Sequence, residues 1–182
     1  MSAANHKIEV LSVPGAAVPD AMPARSPWAT MRAGLGTRAG LTDTPVAVVV
    51  RKGAVLVLEQ GNNRIQAFDV AGNPVNYFGG GTSPFAPLPT STGGLERVDL
   101  ATDALGFLFV LSYSGNGTKP ADYRLEIFDP QGNFVTRTDG LVARRIAVDP
   151  FRTVFALNYA SIAGAPRVEP SVSQWIPSTP SS

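Results

Sequence analysis

Cysteine is absent from the 182-residue chain. That removes disulfides, thiolate metal sites and cysteine nucleophiles, and leaves the redox compartment open. Histidine occurs once, as His6. One imidazole excludes a multi-histidine zinc site and argues against a Ser-His-Asp triad; His6 reads as a surface residue near a chain end. Charge is sparse as well: 16% of residues are charged and the formal net charge is +1, so no bulk field draws nucleic acid or an anionic membrane. Long apolar runs are also lacking. Val46–Val50 and Ala54–Leu58 fall far short of the roughly 20 residues that a membrane helix requires. The first residues hold no uninterrupted apolar core of a secretory signal. The cytoplasm is therefore the default expectation, with the compartment itself left open.

Apolar residues make up 44% of the chain, and its length allows roughly two thirds of the unfolded surface to be buried. A packed core is expected. The 18 glycines and 16 prolines point to many turns and few long helices.

A phrase recurs. KGAVLVLEQGNNRIQAFDVAGNPVNYF (52–78) aligns with LGFLFVLSYSGNGTKPADYRLEIFDPQGNFVTR (105–137) once an insertion is allowed. Arg64 matches Arg124, Phe68 matches Phe128, Asp69 matches Asp129 and Gly72 matches Gly132. A third copy follows: IAVDPFRTVFALN (146–158) matches LATDALGFLFVLS (100–112), and VSQWIP (172–177) matches LEIFDP (125–130). Trp175 then replaces Phe128, which marks it as a core aromatic. NHKIEVLSVPG (5–15) carries a fragment of the same phrase.

Each full copy reads as strand, Gly turn, strand, polar loop, strand, Gly-Asn turn, strand. The second strand is apolar on both faces, as in a sheet sandwiched between neighbours. AGNP and QGNF are short turns, since Gly tolerates positive φ at no steric cost. Four short antiparallel strands repeated every 45–55 or so residues mark a β-propeller blade. VLVLEQGNNRIQAFDVAGNPVNYFGG resembles an NHL repeat: apolar strand, acidic Glu59, Gly-Asn-Asn-Arg-Ile, an aromatic-Asp pair, Gly and a closing aromatic-Gly. The resemblance is close in the first copy, keeps Arg124, Phe128, Asp129 and Gly132 in the second, and is mainly strand patterning in the third. It implies a propeller, usually of six blades, that serves as a recognition platform for protein or RNA.

The expected fold is thus all-β: a β-propeller segment of NHL-like four-stranded antiparallel blades, with long Pro/Gly-rich loops and little helix. The expected layout is a partial blade at 5–15, an irregular linker at 16–40, a blade at 41–80, a loop at 81–97, a blade at 98–140 and an incomplete blade at 141–178. WATMRAG, within the linker, could form a helical turn. Asn62, Asn63 and Arg64 are expected to tie the loop between two strands by donating to backbone carbonyls, and Asp69 to cap the next turn. A propeller needs at least four blades to close, and a blade buries its faces on its neighbours. Three blades leave two apolar end faces. The expected partner is therefore protein, either further blades of a longer chain or a second copy in a homodimer; nucleic acid and membrane are not expected.

Motifs for chemistry are weak. Gly34-Leu35-Gly36-Thr37-Arg38-Ala39 fits G-x-G-x-x-A, which needs a strand before it and a helix after it within a βαβ unit, but GLTDTP follows it. Gly79–Gly81 lacks the Lys of a P-loop, and Asn116-Gly117-Thr118 is an Asn-x-Thr acceptor with no accompanying signal. No cofactor is called for. The expected function is a non-catalytic scaffold or protein-recognition module. One alternative is a calcium-dependent hydrolase of the six-bladed lactonase kind, with Glu59, Ser112 and Asn158 ending equivalent strands and Asp99, Asp103 and Asp149 nearby. The other is RNA binding through Arg144, Arg145, Arg137 and Arg97. The candidate contact residues are Glu59, Asn62, Arg64, Asn158, Arg144, Arg145 and, as an interface anchor outside the repeats, Trp28.

Overall fold

The computed structural model describes residues 7–11, 28–32, 34–90, 94–117, 119–158 and 171–175. Its described residues are almost entirely strand, turn and loop. β1 (Lys7–Leu11) and β2 (Trp28–Arg32) form an antiparallel pair. The first four-stranded sheet is an antiparallel meander of β3 (Pro45–Arg51), β4 (Ala54–Glu59), β5 (Arg64–Phe68) and β6 (Phe85–Pro87). The second repeats that order with β7 (Glu96–Thr102), β8 (Leu108–Tyr113), β9 (Tyr123–Phe128) and β10 (Phe134–Asp139). The third contains β11 (Arg145–Val148), β12 (Val154–Asn158) and β13 (Ser171–Trp175). One 3-10 turn, Pro120–Asp122, precedes β9.

The first strands of successive sheets lie side by side, β3 against β7 and β7 against β11. The sheets stack face to face behind them. Ala54, Leu56, Leu58, Ile65 and Ala67 of the first sheet pack on Leu100, Leu108, Val110 and Phe128 of the second. Ala101, Phe109, Leu111, Leu125 and Ile127 of the second pack on Ile146, Val154 and Ala156 of the third. A strand alternates its side chains between faces, so β4 and β8, covered on both sides, are apolar at each position of Ala54–Leu58 and Leu108–Leu111. This is a β-propeller segment of antiparallel blades.

In the first two repeats the Asp after the aromatic caps its turn as expected. Asp69 Oδ1 accepts from the N–H groups of Ala71 (2.8 Å) and Asn73 (2.9 Å), and Oδ2 from the Asn73 amide (2.9 Å). Asp129 repeats the arrangement with Gln131 and Asn133. Gly72 and Gly132, at φ 92° and 87°, close these turns in the left-handed region that glycine favours.

Two stretches differ from the sequence reading. Trp28–Arg32 is a strand and not a helical turn: five residues are too few to sustain a helix, and pairing with β1 satisfies their backbone groups. Residues 81–97 are not one loop, for they contain β6 and the first residues of β7. Pro74 accounts for the shift. In the second blade Phe134 follows the Gly-Asn turn and the fourth strand starts at once. In the first, Pro74 stands there with no N–H to give the ladder. After a bridge from Phe68 to Pro74 and a bond from Val75 N–H to the Ala67 carbonyl, the chain leaves the edge. It reverses through Gly79–Gly81, all at positive φ. Phe85–Pro87 then takes the edge beside β5.

Candidate functional site

Glu59, Asn62 and Arg64 come together where β4 turns into β5, and the loop at 34–44 folds over them. Glu59 is fully buried. Its Oε1 accepts from Arg64 Nε at 3.0 Å and Gln66 Nε2 at 2.9 Å. Its Oε2 accepts from the Asp43 N–H at 3.0 Å and from the Asn62 amide. Arg64 reaches on to the carbonyls of Thr37 and Leu41, and its guanidinium lies 4.0 Å from the centre of the Phe85 ring. Asn62 also donates to the Gly36 carbonyl at 2.8 Å, and Asn63 to that of Leu88 at 2.8 Å. Gln66 accepts from the Gly40 N–H and donates to the Leu41 carbonyl. The donors thus tie flanking loops to the hairpin. Chemically this is a closed set, with both Glu59 oxygens engaged by nitrogen donors. A calcium ion requires six to eight or so oxygen ligands, whereas the groups facing Glu59 are N–H donors.

Arg97, expected on an open face, is buried at 4% exposure. Its NH1 donates to Glu126 Oε2 at 2.6 Å and to Ser112 Oγ at 2.9 Å; its NH2 reaches Asn63 Oδ1 and the Pro89 carbonyl, both at 2.6 Å. Burial pulls the Arg97 guanidinium below its usual range while the Glu126 carboxylate opposes that pull. The side chain links the first blade's loop to the second blade's core. Arg137 lies exposed on β10, 3.7 Å from Asp139. Arg144 stands 5.5 Å from the Tyr113 ring centre, and Arg145 donates to the Arg144 carbonyl. These four arginines therefore do not share one open face.

Trp28 lies in β2 and Asn158 ends β12, opposite Ser171; their side chains fall outside the described residues, as does His6. Asp103 binds Arg152 Nε at 3.0 Å and caps its own turn through the Gly106 and Phe107 N–H groups. Among the described residues no group of three or more His, Cys, Asp or Glu is placed to hold a metal.

Asp99 of β7 accepts from the Ile146 N–H of β11 at 2.8 Å, bridging the second and third blades. Burial pushes its carboxyl up, against the pull of the Ile146 and Leu100 N–H groups and Arg145. Asp69 is held low, first by the Asn73 side chain. For Asp129 burial pushes upward but is outweighed by the side chain and N–H of Asn133 and the N–H groups of Gln131 and Gly132, leaving it low. Linkage gives these groups opposite signs. The Asp69 and Asp129 contributions are full above the ordinary aspartate value of 3.8 and are lost as pH falls below it. The Asp99 contribution is full below 3.8 and is lost as pH rises through its raised value. Asp99→Asn keeps an oxygen for Ile146 and removes the charge. The variant is expected to lose less stability than the wild type as pH rises above 3.8, measured by urea unfolding across a pH series.

The exposed apolar side chains were not singled out in the sequence reading. On β3, Val46, Val48 and Val50 are 36%, 49% and 66% exposed. On β12, Phe155 and Leu157 are 38% and 37% exposed. The signal was there in the repeat alignment: Val48, Phe155 and Leu157 correspond to Leu100, Phe109 and Leu111, which the second blade buries.

No protein-family model and no curated protein matches the chain. Among solved structures it is similar to the PQQ-bound form of aldose sugar dehydrogenase from Streptomyces coelicolor, at 17% identity and a TM-score of 0.41. The likeness covers 66% of this chain and 40% of that one, so the chain spans well under half of that protein's length.

Proposed function

We propose that this chain is a non-catalytic, NHL-like propeller segment that acts as a protein-recognition scaffold through the sheet faces at the two ends of its blade stack. One observation carries the reading. The faces between blades are buried, whereas the rows Val46, Val48, Val50 and Phe155, Leu157 stay open to solvent. Rows of apolar side chains on a sheet face mark interaction sites. The test uses an apolar fluorescent dye with Val48→Lys and Leu157→Lys. The wild type is expected to bind the dye or to bury these faces in an assembly, and each variant to reduce that binding or assembly with little change in melting temperature. A wild type that is monomeric and binds no dye overturns the reading.

The lactonase-like alternative predicts that calcium raises the melting temperature and that Glu59→Gln abolishes the rise. With the Glu59 oxygens already accepting four donors, calcium titration followed by thermal unfolding is expected to show no such rise.

A further inference from the structure

We infer that Asn116 is a site of self-modification: in the folded chain its side-chain amide is lost to attack by the Gly117 main-chain nitrogen, leaving aspartate or isoaspartate at the tip of the loop between β8 and β9.

The second repeat carries its insertion in this loop. The base is tied, for the Ser114 N–H donates to the Asp122 carbonyl at 2.9 Å and the Lys119 N–H to Asp122 Oδ2 at 2.9 Å. At the tip Gly115 and Asn116 are exposed to solvent. Cyclisation of an asparagine requires the nitrogen of the next residue to reach its Cγ, and a side chain on that next residue obstructs the approach. Asn116 is the one asparagine in the sequence that is followed by glycine. Asn73 precedes Pro74, which has no N–H. The amides of Asn62, Asn63 and Asn133 are held by the Gly36 carbonyl, the Leu88 carbonyl and Asp129.

The fold itself keeps the glycine. Gly117 sits at φ 60°, and a Cβ there would lie 2.8 Å from the Tyr113 ring, so a side chain is excluded twice over. Its carbonyl accepts from the Tyr123 hydroxyl at 3.0 Å, which fixes the peptide. Its N–H reaches the Ser114 carbonyl only at 3.4 Å, beyond the ordinary range of a hydrogen bond. The nitrogen is thus placed but weakly engaged. The Asp139-Gly140 step is the contrast: there the Gly140 N–H donates to the Tyr123 carbonyl at 2.8 Å.

The step balances with water alone. The Gly117 nitrogen gives its proton to solvent base and bonds to Asn116 Cγ; the Cγ–Nδ2 bond breaks and the amide nitrogen leaves as ammonia. Water then opens the cyclic imide. Cleavage at Cγ gives aspartate. Cleavage at the Asn116 main-chain carbonyl gives isoaspartate, which adds a methylene to the main chain. Either product takes the formal net charge from +1 to 0, where chains associate more readily. Isoaspartate also shifts Gly117 away from Tyr123, a side chain 1% exposed whose hydroxyl then lacks its acceptor.

The test is peptide mapping by mass spectrometry of the full chain held folded at neutral and at mildly alkaline pH. The peptide carrying Asn116 is expected to gain the mass difference between an amide and an acid, faster at the higher pH, while those carrying Asn76 and Asn133 stay unchanged. A methyltransferase specific for isoaspartate is expected to label the same peptide. Asn116→Gln, whose longer side chain closes a ring far less readily, is expected to lose the gain. The aged wild type is expected to melt below Asn116→Asp, which adds the charge without lengthening the main chain; equal melting overturns the loss of the Tyr123 contact. A gain at Asn116 in urea but not in the folded chain overturns the inference, because the turn would then hold the nitrogen out of reach. Equal gains at Asn116 and Asn133 overturn it too.

Discussion

Arg97→Ala is expected to cost about 3–5 kcal/mol of folding free energy, because it leaves a buried carboxylate without its counter-charge. Glu126 is 1% exposed and its Oε2 lies 2.6 Å from Arg97 NH1. Ser112 Oγ, Asn63 Oδ1 and the Pro89 carbonyl lose a donor in the same step, so neither local repacking nor a single water restores the set. For a chain of this size each kcal/mol shifts the melting temperature by about 2–4 °C, and the expected drop is therefore roughly 6–20 °C. The control removes both charges. Arg97→Met with Glu126→Leu replaces a buried pair by apolar volume, a change that is often neutral or stabilising; it is expected to recover most of what Arg97→Ala loses. Thermal and urea unfolding of both variants beside the wild type check the ordering. A single variant costing under about 1 kcal/mol would put this pair among exposed ones, and the link between the first two blades would then rest on apolar packing alone.

The same residue shows where sequence reasoning stops. Strand order, the repeat and the capping role of Asp69 and Asp129 were legible because they depend on local rules: alternation, left-handed glycine, and a carboxylate that accepts from N–H groups two and four residues on. The ties made by Asn62, Asn63 and Arg64 were legible in kind, since a polar loop between two buried strands must satisfy its backbone. Arg97 reads as solvated from sequence. Its partner Glu126 lies two strands further along the same sheet, and no local pattern brings the two together. β6 escapes for a different reason. Pro74 breaks the ladder, and the fourth strand is displaced across a glycine turn that composition alone reads as loop. The exposed rows are visible as apolar runs, but whether a valine is core or surface depends on the blade beside it. Val48 and Leu100 differ in neighbour, not in pattern. Of the proposed contact residues, Glu59, Asn62 and Arg64 form one cluster, while Arg144 and Arg145 sit apart from it at the start of the third blade.

Glu59→Gln is expected to cost about 3 kcal/mol, although it preserves size and shape, because it removes a buried charge partner and half the acceptors. Two carboxylate oxygens now take four donors, from Arg64, Gln66, Asn62 and the Asp43 N–H. An amide has one oxygen and presents two donors of its own. In either orientation it sets N–H against N–H: toward Arg64 and Gln66, or toward Asn62 and Asp43. The loop from 34 to 44 is held through these residues, so the loss should be local before it is global. Amide exchange at Asp43, whose N–H donates to Glu59, is expected to accelerate most. Thr42, whose N–H bonds the Gly34 carbonyl, is expected to follow as the loop opens. Amides of β8 and β9, in the neighbouring blade, are expected to keep the protection set by global unfolding. Uniform acceleration across all blades would mean that Glu59 supports the whole stack. No acceleration at Asp43 would mean that the loop is held by the Asn62 and Arg64 contacts to its carbonyls without the carboxylate. The local outcome gives the acidic position of this repeat a positioning role. It gathers the donors that hold the preceding loop against the strand ends, which shapes that end of the blade.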